Sequence, residues 1–220
     1  MIVDAKRIVT AGYDRIAARL AAWAAHTRTE ERARYTALLL NALPEGADVL
    51  ELGCGDGGPT TRALADRFRL TGVDLSAEQI VRAREHVPRA SFIQADMTAL
   101  RLAPASFDAV AAFYSIIHVP REEQPALLGQ IAGWLRPGGL LVASFGAHDN
   151  PEGYEEDWLG APMYWSGYDA ATNRRLVEEA GLLIERAQTE TADEDGVPIT
   201  FLWIVARKPD GAQSERGRVL

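Results

Sequence analysis

The sequence predicts an α/β fold in which an open, mostly parallel sheet carries helices on both faces. Short apolar runs alternate with helical segments between residues 48 and 180, and this alternation is typical of parallel strands joined by crossover helices. The first run is followed by a glycine-rich turn, residues 53–58, and then at once by a helical segment. Two successive strands with a short link end the pattern, so the last strand is expected to be antiparallel.

The glycine-rich turn matches two templates. Gly53 and Gly55 followed by Gly58 fit a dinucleotide fingerprint, whereas the same pair followed by Gly57 fits a second pattern. The flanks favour the second pattern, because Glu51 stands two residues before the first glycine, where a plain dinucleotide site would carry an apolar residue. Glycines permit φ > 0 and the close approach of a ligand. The N–H groups at such a turn and at the helix start favour an anionic group.

Acidic residues follow two further predicted strands. The second strand, residues 68–75, carries Asp74 near its end, 21 positions after Gly53, and the third, residues 90–95, is followed by Asp96. Ligands of open α/β sheets bind beyond the carboxyl ends of the strands, where an acid in the position of Asp74 can accept from both ribose hydroxyls. This acid does not distinguish between the two glycine templates, since the ligands that bind to either template carry a ribose.

The remaining elements follow from periodicity and from turn residues. A Pro–Gly turn precedes the fifth strand, and an acidic loop, residues 191–198, links the last two strands. A segment rich in aromatic residues, 146–168, shows no regular pattern and is expected to be irregular. The predicted helices cover residues 1–24 with a possible break at Gly12, 29–41, 59–67, 77–86, 122–135 and 169–180; the other predicted strands cover 48–52, 106–115, 140–145, 182–189 and 199–207.

These motifs together resemble one known family. The pattern E-x-G-x-G-x-G over residues 51–57, the two acids at strand ends and L-R-P-G-G at 135–139 are similar to the motifs of class I S-adenosylmethionine (SAM)-dependent methyltransferases, in particular of the bacterial natural-product type. The resemblance implies a Rossmann-like seven-stranded sheet of order 3-2-1-4-5-7-6 with an antiparallel last strand. It also implies a single domain, residues 1–208, with an N-terminal helical lid at 1–44, a lid insertion at 146–168 and a tail at 209–220.

The resemblance implies SAM as the methyl donor and S-adenosylhomocysteine (SAH) as the product. Glu51 is then expected to receive the ammonium group of the ligand, Asp74 the ribose hydroxyls and Asp96 the adenine amino group. The remaining cofactor-binding residues implied in this way are Gly53, Cys54, Gly55, Leu75, Met97 and Phe113.

Two residues are candidates for catalysis. His118 follows the fourth strand, where many small-molecule members of the family carry a histidine, and its ordinary pKa suits a general base. Tyr13 and Asp14 resemble a Tyr–Asp pair that opens an N-terminal helix over the cofactor. The alternatives are a histidine that only packs the strand exit and a tyrosine that only packs a surface helix.

The acceptor is predicted to be a small aromatic or heteroaromatic molecule, with an indole as one example, methylated on O, N or an electron-rich ring carbon in specialised metabolism. Aromatic residues in the lid segments indicate a closed apolar pocket, which suits such a molecule, and aromatic faces also stabilise positive charge. The predicted substrate-binding residues are Tyr13, Trp23, Ser115, His118, Tyr164 and Trp165.

The composition of the chain limits the binding partners that it is expected to have. The chain of 220 residues has a net charge of −8 and no run of Lys and Arg, which argues against nucleic acid or an anionic membrane as a partner. Its single cysteine gives neither a disulfide framework nor a Cys-based metal site, and no metal is expected. We expect a cytoplasmic protein, since no signal peptide or membrane span is apparent. A macromolecular methyltransferase and a non-catalytic SAM-binding protein remain alternatives, and the oligomeric state is not predicted.

Overall fold

A computed structural model describes residues 4–210; residues 1–3 and 211–220, and with them most of the predicted tail, lie outside the described part. The helices are α1 (Ala5–Ala24), α2 (Thr29–Ala42), α3 (Pro59–Arg67), α4 (Ala77–His86), α5 (Gln124–Trp134) and α6 (Ala170–Glu179). The strands are β1 (Asp48–Leu52), β2 (Arg69–Asp74), β3 (Ser91–Gln94), β4 (Phe107–Ala112), β5 (Leu135–Gly146), β6 (Asn150–Trp158), β7 (Ala161–Gly167), β8 (Leu183–Glu194) and β9 (Val197–Arg207).

Seven strands form one sheet in the order β3-β2-β1-β4-β5-β9-β8, and β6 and β7 form a separate two-stranded sheet. The strands from β1 to β5 pair in parallel, whereas β9 is antiparallel to both of its neighbours. With the β6–β7 hairpin set aside, this is the predicted order 3-2-1-4-5-7-6. The predicted Rossmann-like fold is confirmed.

The local chemistry of the chain explains where the helices begin. Pro59 occupies the first turn of α3, where its missing N–H costs nothing. The Ser76 hydroxyl caps α4 by accepting from the Gln79 N–H, and the Asp169 carboxylate caps α6 in the same way. Because β1 pairs in parallel with both β2 and β4, the carboxyl ends of these three strands meet at one edge of the sheet.

The turn after β1 requires glycine for two different reasons. Gly53 has φ of +77°, and a Cβ at this position would lie 2.3 Å from the Cβ of Ser115. Gly55 has φ of +55°, but no atom lies within 4 Å of the position its Cβ would take. The first glycine thus allows the exits of β1 and β4 to touch, and the second leaves the backbone open to a space above the sheet.

The N-terminal helix is continuous, so the predicted possible break at Gly12 is not present. Gly12 is buried in the middle of α1, where a Cβ would lie 2.7 Å from the Pro162 carbonyl oxygen of β7. The glycine therefore serves the close approach of α1 to the β6–β7 hairpin rather than a break in the helix. Asp14 fixes the same helix to the start of α4, since its carboxylate accepts from the Ser76 hydroxyl and the Glu78 N–H.

Two predicted irregular segments are strands instead. Most of segment 146–168 is the β6–β7 hairpin, and the predicted acidic loop 191–198 is largely the end of β8 and the start of β9. Both hairpins have two-residue turns, Leu159-Gly160 and Asp195-Gly196, in which all four φ angles are positive. Such turns match the twist of antiparallel strands, and Asp-Gly is one of their strongest sequence signals. No helix of the described part, residues 4–210, is long and apolar enough to span a membrane.

Candidate active site

A cavity of about 1030 Å³ lies beyond the carboxyl ends of the parallel strands. Its floor is the turn after β1 together with the residues that follow β2 and β4, and α1 and α2 form one side. The β6–β7 hairpin and the turn between β8 and β9 contribute the rest of the wall. The sites predicted for the cofactor and for the acceptor therefore border one continuous space.

Asp74 lies half-buried at the end of β2 and is held by two backbone donors. Its Oδ2 accepts from the Gly55 N–H at 2.9 Å, and its Oδ1 accepts from the Ser76 N–H at 3.0 Å. Burial raises the pKa of this carboxyl above its ordinary value, and the backbone hydrogen bonds oppose that shift. The side chain borders the cavity with a fixed orientation, and its role as the ribose ligand stays a prediction.

Glu51 is a buried carboxyl with one unpaired oxygen. The residue is 5% exposed, and its Oε2 has no hydrogen-bond partner in the described part of the chain. Burial above all, and then the nearby charge of Asp74, raise the pKa of Glu51 to about 8 against the opposing effect of a hydrogen bond from Thr61. Because Glu51 lines the cavity, an ammonium group placed there would supply the missing partner. Together with the open backbone at Gly55, this fits the amino-acid end of SAM.

Asp96 is ion-paired to a residue that the sequence did not point to. The Lys6 Nζ lies 2.8 Å from its Oδ2, and its Oδ1 accepts from the N–H and the hydroxyl of Thr98. Burial would raise the pKa of Asp96, but these bonds, that from Lys6 above all, hold it below its ordinary value. Lys6 lies on α1 and also contacts Glu123; no local signal marks it, because its partners are distant in sequence. Whether Asp96 also accepts from adenine stays a prediction.

The other predicted cofactor residues also border the cavity. Gly53 and Gly55 form its floor, and Cys54 is a buried thiol whose pKa is raised by burial. In the described part of the chain, no group of three or more His, Cys, Asp and Glu side chains is arranged to hold a metal ion. The remaining predicted cofactor contacts that line the cavity are Leu75, Met97 and Phe113.

Tyr13 and His118 are joined in a short hydrogen-bonded chain. The Tyr13 hydroxyl lies 2.6 Å from His118 Nε2, and His118 Nδ1 lies 2.8 Å from the Tyr164 carbonyl oxygen. A carbonyl only accepts, so Nδ1 carries the proton, and Nε2 accepts the proton of the phenol. Burial lowers the pKa of His118 to about 4 and raises that of Tyr13 well above its ordinary value. Both groups are therefore neutral near pH 7.

Three tryptophans and Tyr13 form an aromatic wall around the same place. The Trp158 ring meets Trp23, Trp165 and Tyr13 edge to face, with centroids 5.7, 5.6 and 6.0 Å apart. Edge-to-face pairs are the favoured arrangement of such rings. Trp158 was not among the predicted substrate-binding residues, although the aromatic content of its segment was the signal that indicated a pocket.

The two other predicted substrate-binding residues, Ser115 and Tyr164, make contacts that hold the fold together. Ser115 borders the cavity, but its hydroxyl donates to the Leu52 carbonyl at 2.7 Å and so holds the exits of β1 and β4 together. The Tyr164 side chain is buried in the small core between α1 and the β6–β7 hairpin, and its backbone carbonyl fixes His118. Direct contact of either residue with an acceptor stays a prediction.

Comparison with known proteins gives a family match and several relatives. Residues 49–139 match the family model described as a methyltransferase domain. A sequence relative, 27-O-demethylrifamycin SV methyltransferase of Amycolatopsis mediterranei, is 35% identical over 176 residues, covering 74% of this chain and 64% of the relative. The chain thus spans less than two thirds of this curated relative.

Solved structures share the fold at low sequence identity. The 1,6-didemethyltoxoflavin-N1-methyltransferase of Burkholderia thailandensis, solved with its substrate and SAH, has a TM-score of 0.63 at 22% identity, covering 83% of this chain and 80% of that one. The (4+2)-cyclase SpnF has a TM-score of 0.71 at 20% identity, with 92% and 95% covered. The cyclase shows that the fold alone does not define the reaction.

The fold, the matched residues and the cavity together define the class. Residues 49–139 belong to a methyltransferase domain family, and the sheet around them has the Rossmann-like order of class I SAM-dependent methyltransferases. The cofactor of that class is SAM, and the toxoflavin enzyme was solved with SAH bound.

Proposed function

We propose that this protein transfers a methyl group from SAM to a small aromatic or heteroaromatic acceptor on O, N or an electron-rich ring carbon. The observation that carries the proposal is that one cavity borders both the Glu51 carboxyl, whose Oε2 has no hydrogen-bond partner among residues 4–210, and an aromatic wall around Tyr13 and His118. The rifamycin enzyme among the relatives supports an acceptor from specialised metabolism. An indole is one acceptor of the proposed size and shape.

SAM supplies a methyl group on a sulfonium, which is already activated for transfer. The protein then has to hold donor and acceptor in line, and such orientation contributes on the order of 7–11 kcal/mol. In this proposal Glu51 and Asp74 fix the donor, while the flat faces of Trp23 and Trp165 hold the acceptor ring. Aromatic faces also favour the positive charge that passes between the two.

Tyr13 and His118 would handle a proton if the acceptor loses one. The phenol oxygen of Tyr13 has a free lone pair that can accept a proton from the acceptor, while its own proton passes to Nε2 of His118. The Tyr164 carbonyl keeps the imidazole in the tautomer that this transfer needs. An acceptor that attacks as a neutral atom and needs no base would use the same pair only for orientation.

The proposal is tested by incubating the protein with methyl-labelled SAM and a panel of aromatic acceptors that includes indoles, phenols and amines. We expect labelled product with at least one of them, and Asp74→Ala is expected to abolish both SAM binding and turnover. Asp66→Ala, which removes an exposed carboxylate at the end of α3, is the matched control and is expected to behave as the wild type.

Two results would contradict the proposal. Tight SAM binding without turnover on any acceptor would favour a non-catalytic SAM-binding protein. Labelling of tRNA, rRNA or protein instead of the small molecules would favour a macromolecular methyltransferase, against which the net charge of −8 argues.

A further inference from the structure

Arg28 is a buried cation at the edge of the cavity. It precedes α2 with φ of +54°, and the residue is 4% exposed. Its guanidinium lies over the Phe201 ring, 4.5 Å from the centroid, and 5.5 Å from the centroid of Tyr114. The Nε donates to the Glu194 carboxylate and the Nη2 to the Ile199 carbonyl oxygen at 2.9 Å. Arg28 is therefore held from one side by the end of β8 and the start of β9.

The opposite side of Arg28 carries an ion pair but no hydrogen bond. Its Nη1 has no hydrogen-bond partner among residues 4–210, and its ion pair with the Glu31 carboxylate, at 3.7 Å, is too long to be one. The hydroxyl of Tyr114 lies beside this guanidinium and also lacks a hydrogen bond of good geometry in that part of the chain. Leaving buried donors unpaired is costly, and native proteins rarely do so without a reason. Both residues line the cavity, so a ligand can supply the acceptor atoms.

The position of this pair matches one end of the proposed cofactor. Tyr114 is followed by Ser115, whose Cβ lies 2.3 Å from the place that a Gly53 Cβ would take. Arg28 packs on Tyr114, the residue before this contact with the glycine turn, and Glu51 lies just before that turn. A buried acid and a buried guanidinium around the same turn complement the ammonium and the carboxylate of an amino acid.

We propose that the β8–β9 hairpin is part of the cofactor site: Glu194 holds Arg28 so that its free Nη1 receives the carboxylate of the cofactor, with the Tyr114 hydroxyl as a second donor. This inference rests on the proposed function. Arg28 is the binding residue, and Glu194 is a positioning residue that does not touch the ligand. The hairpin, the last regular element of the described chain, thereby controls binding at a turn about 140 positions earlier.

The physical reason lies in the shape of arginine. A guanidinium is a rigid planar group on a flexible side chain, so hydrogen bonds that hold two of its nitrogens also fix the direction of the third. Without the hydrogen bond to Glu194, the flexible side chain of Arg28 is free to turn its guanidinium away from the cavity. If Glu194 acted only through its charge, its removal would instead make the electrostatic potential around Arg28 more positive and so strengthen anion binding.

The test compares SAH with its decarboxylated analogue, 5′-deoxy-5′-(3-aminopropylthio)adenosine, by calorimetric titration. We expect the wild type to prefer SAH and Arg28→Gln to lose that preference. We expect Glu194→Ala to weaken SAH binding about tenfold, as for the loss of a hydrogen bond to a charged group, and to leave the analogue unchanged. Glu194→Gln keeps a hydrogen-bond acceptor and is expected to restore most of the affinity.

A matched control is Glu185→Ala on the same strand, which removes an exposed ion pair with Arg207 and is expected to bind as the wild type. The inference is overturned if Glu194→Ala weakens both ligands equally, which would indicate only a structural role, or if it leaves or strengthens SAH binding while Arg28→Gln still removes the preference. Failure of the wild type to bind either ligand would instead overturn the proposed function.

Discussion

At the scale of single residues, Glu51 makes the stability of the protein depend on pH. Its pKa is about 8 in the folded protein against an ordinary value of 4.5, so the folded state holds a proton that the unfolded chain releases. Stability from this group is therefore fully present below pH 4.5 and is lost as the pH rises to about 8. Burial without a counter-charge is the cause.

We predict that Glu51→Gln stabilises the ligand-free protein at pH 8.5 far more than at pH 5, because glutamine never ionises. Thermal unfolding of variant and wild type at both pH values measures this, with exposed Glu45→Gln as the control. An equal gain in melting temperature at the two pH values would show that Glu51 does not titrate near 8.

His118 gives a second prediction at this scale. Burial lowers its pKa to about 4, so the imidazole is neutral, and Nε2 is able to accept a proton, at every pH above about 5. We predict that kcat of the wild type shows no ionisation of His118 between pH 5 and 8. Tyr13→Phe is expected to lower kcat roughly 10²–10⁴-fold if the phenol passes on the proton. A pH profile of kcat with an ionisation near 6.5 that disappears in His118→Asn would contradict this assignment.

At the scale of elements, the turn between β1 and α3 contains one glycine that the fold requires and a second glycine that ligand binding is expected to require. Gly53→Ala places a Cβ against Ser115 and is expected to destabilise the fold strongly, whereas Gly55→Ala points a Cβ into open space at the cavity. We predict that Gly55→Ala folds, with a loss of about 1 kcal/mol for its left-handed conformation, but binds SAH at least about tenfold more weakly.

Gly181→Ala after α6 is the matched control for this prediction, since its φ is +85° and its Cβ also meets nothing within 4 Å. It lies outside the cavity and is expected to show the same strain with normal SAH binding. Thermal unfolding and SAH titration of the three variants provide the measurements. Normal SAH binding by Gly55→Ala would mean that no ligand approaches this turn.

At the scale of the whole molecule, the described residues divide into two large cores on the faces of the main sheet and a small third core between α1 and the β6–β7 hairpin. The third core contains only six buried hydrophobic residues. Small cores open more easily than large ones. The elements that would cover the acceptor are thus the least firmly packed of those around the cavity.

We predict that amide hydrogens of α1 and of the β6–β7 hairpin exchange faster than those of β1 and β4, and that SAH slows their exchange more than that of the sheet. The reason is that a ligand in the cavity bridges α1 to the sheet edge. Hydrogen exchange followed by mass spectrometry, with and without SAH, tests this. Equal protection of α1 and β4 without ligand would show that the lid is as stable as the sheet.

The alternation of strands and helices and the acids at the sheet edge were predictable because their signals are local, whereas the sheet order was implied by the family resemblance. The glycine turn, the apolar strands and the spacing from Gly53 to Asp74 lie within stretches of about 20 residues, and parallel strands then bring their ends together. The β6–β7 hairpin was missed, and the link of the predicted terminal hairpin was made too long, for an equally local reason. Segment 146–168 was judged by its lack of helical or alternating periodicity, and the Asp195-Gly196 signal was overlooked within an acidic stretch.

The sequence by itself therefore determined the class of fold through short-range periodicity and turn chemistry, and the class of cofactor through motifs that resemble one family; the binding roles of the site residues stay predictions. Only the tertiary structure decided which distant groups meet: Tyr13 with His118 across 105 positions and Arg28 with Glu194 across 166. It also paired Lys6 with Asp96 and left one nitrogen of Arg28 unbonded. Such contacts depend on how α1 and the terminal hairpin pack over the sheet, and no pattern of neighbouring residues encodes that packing.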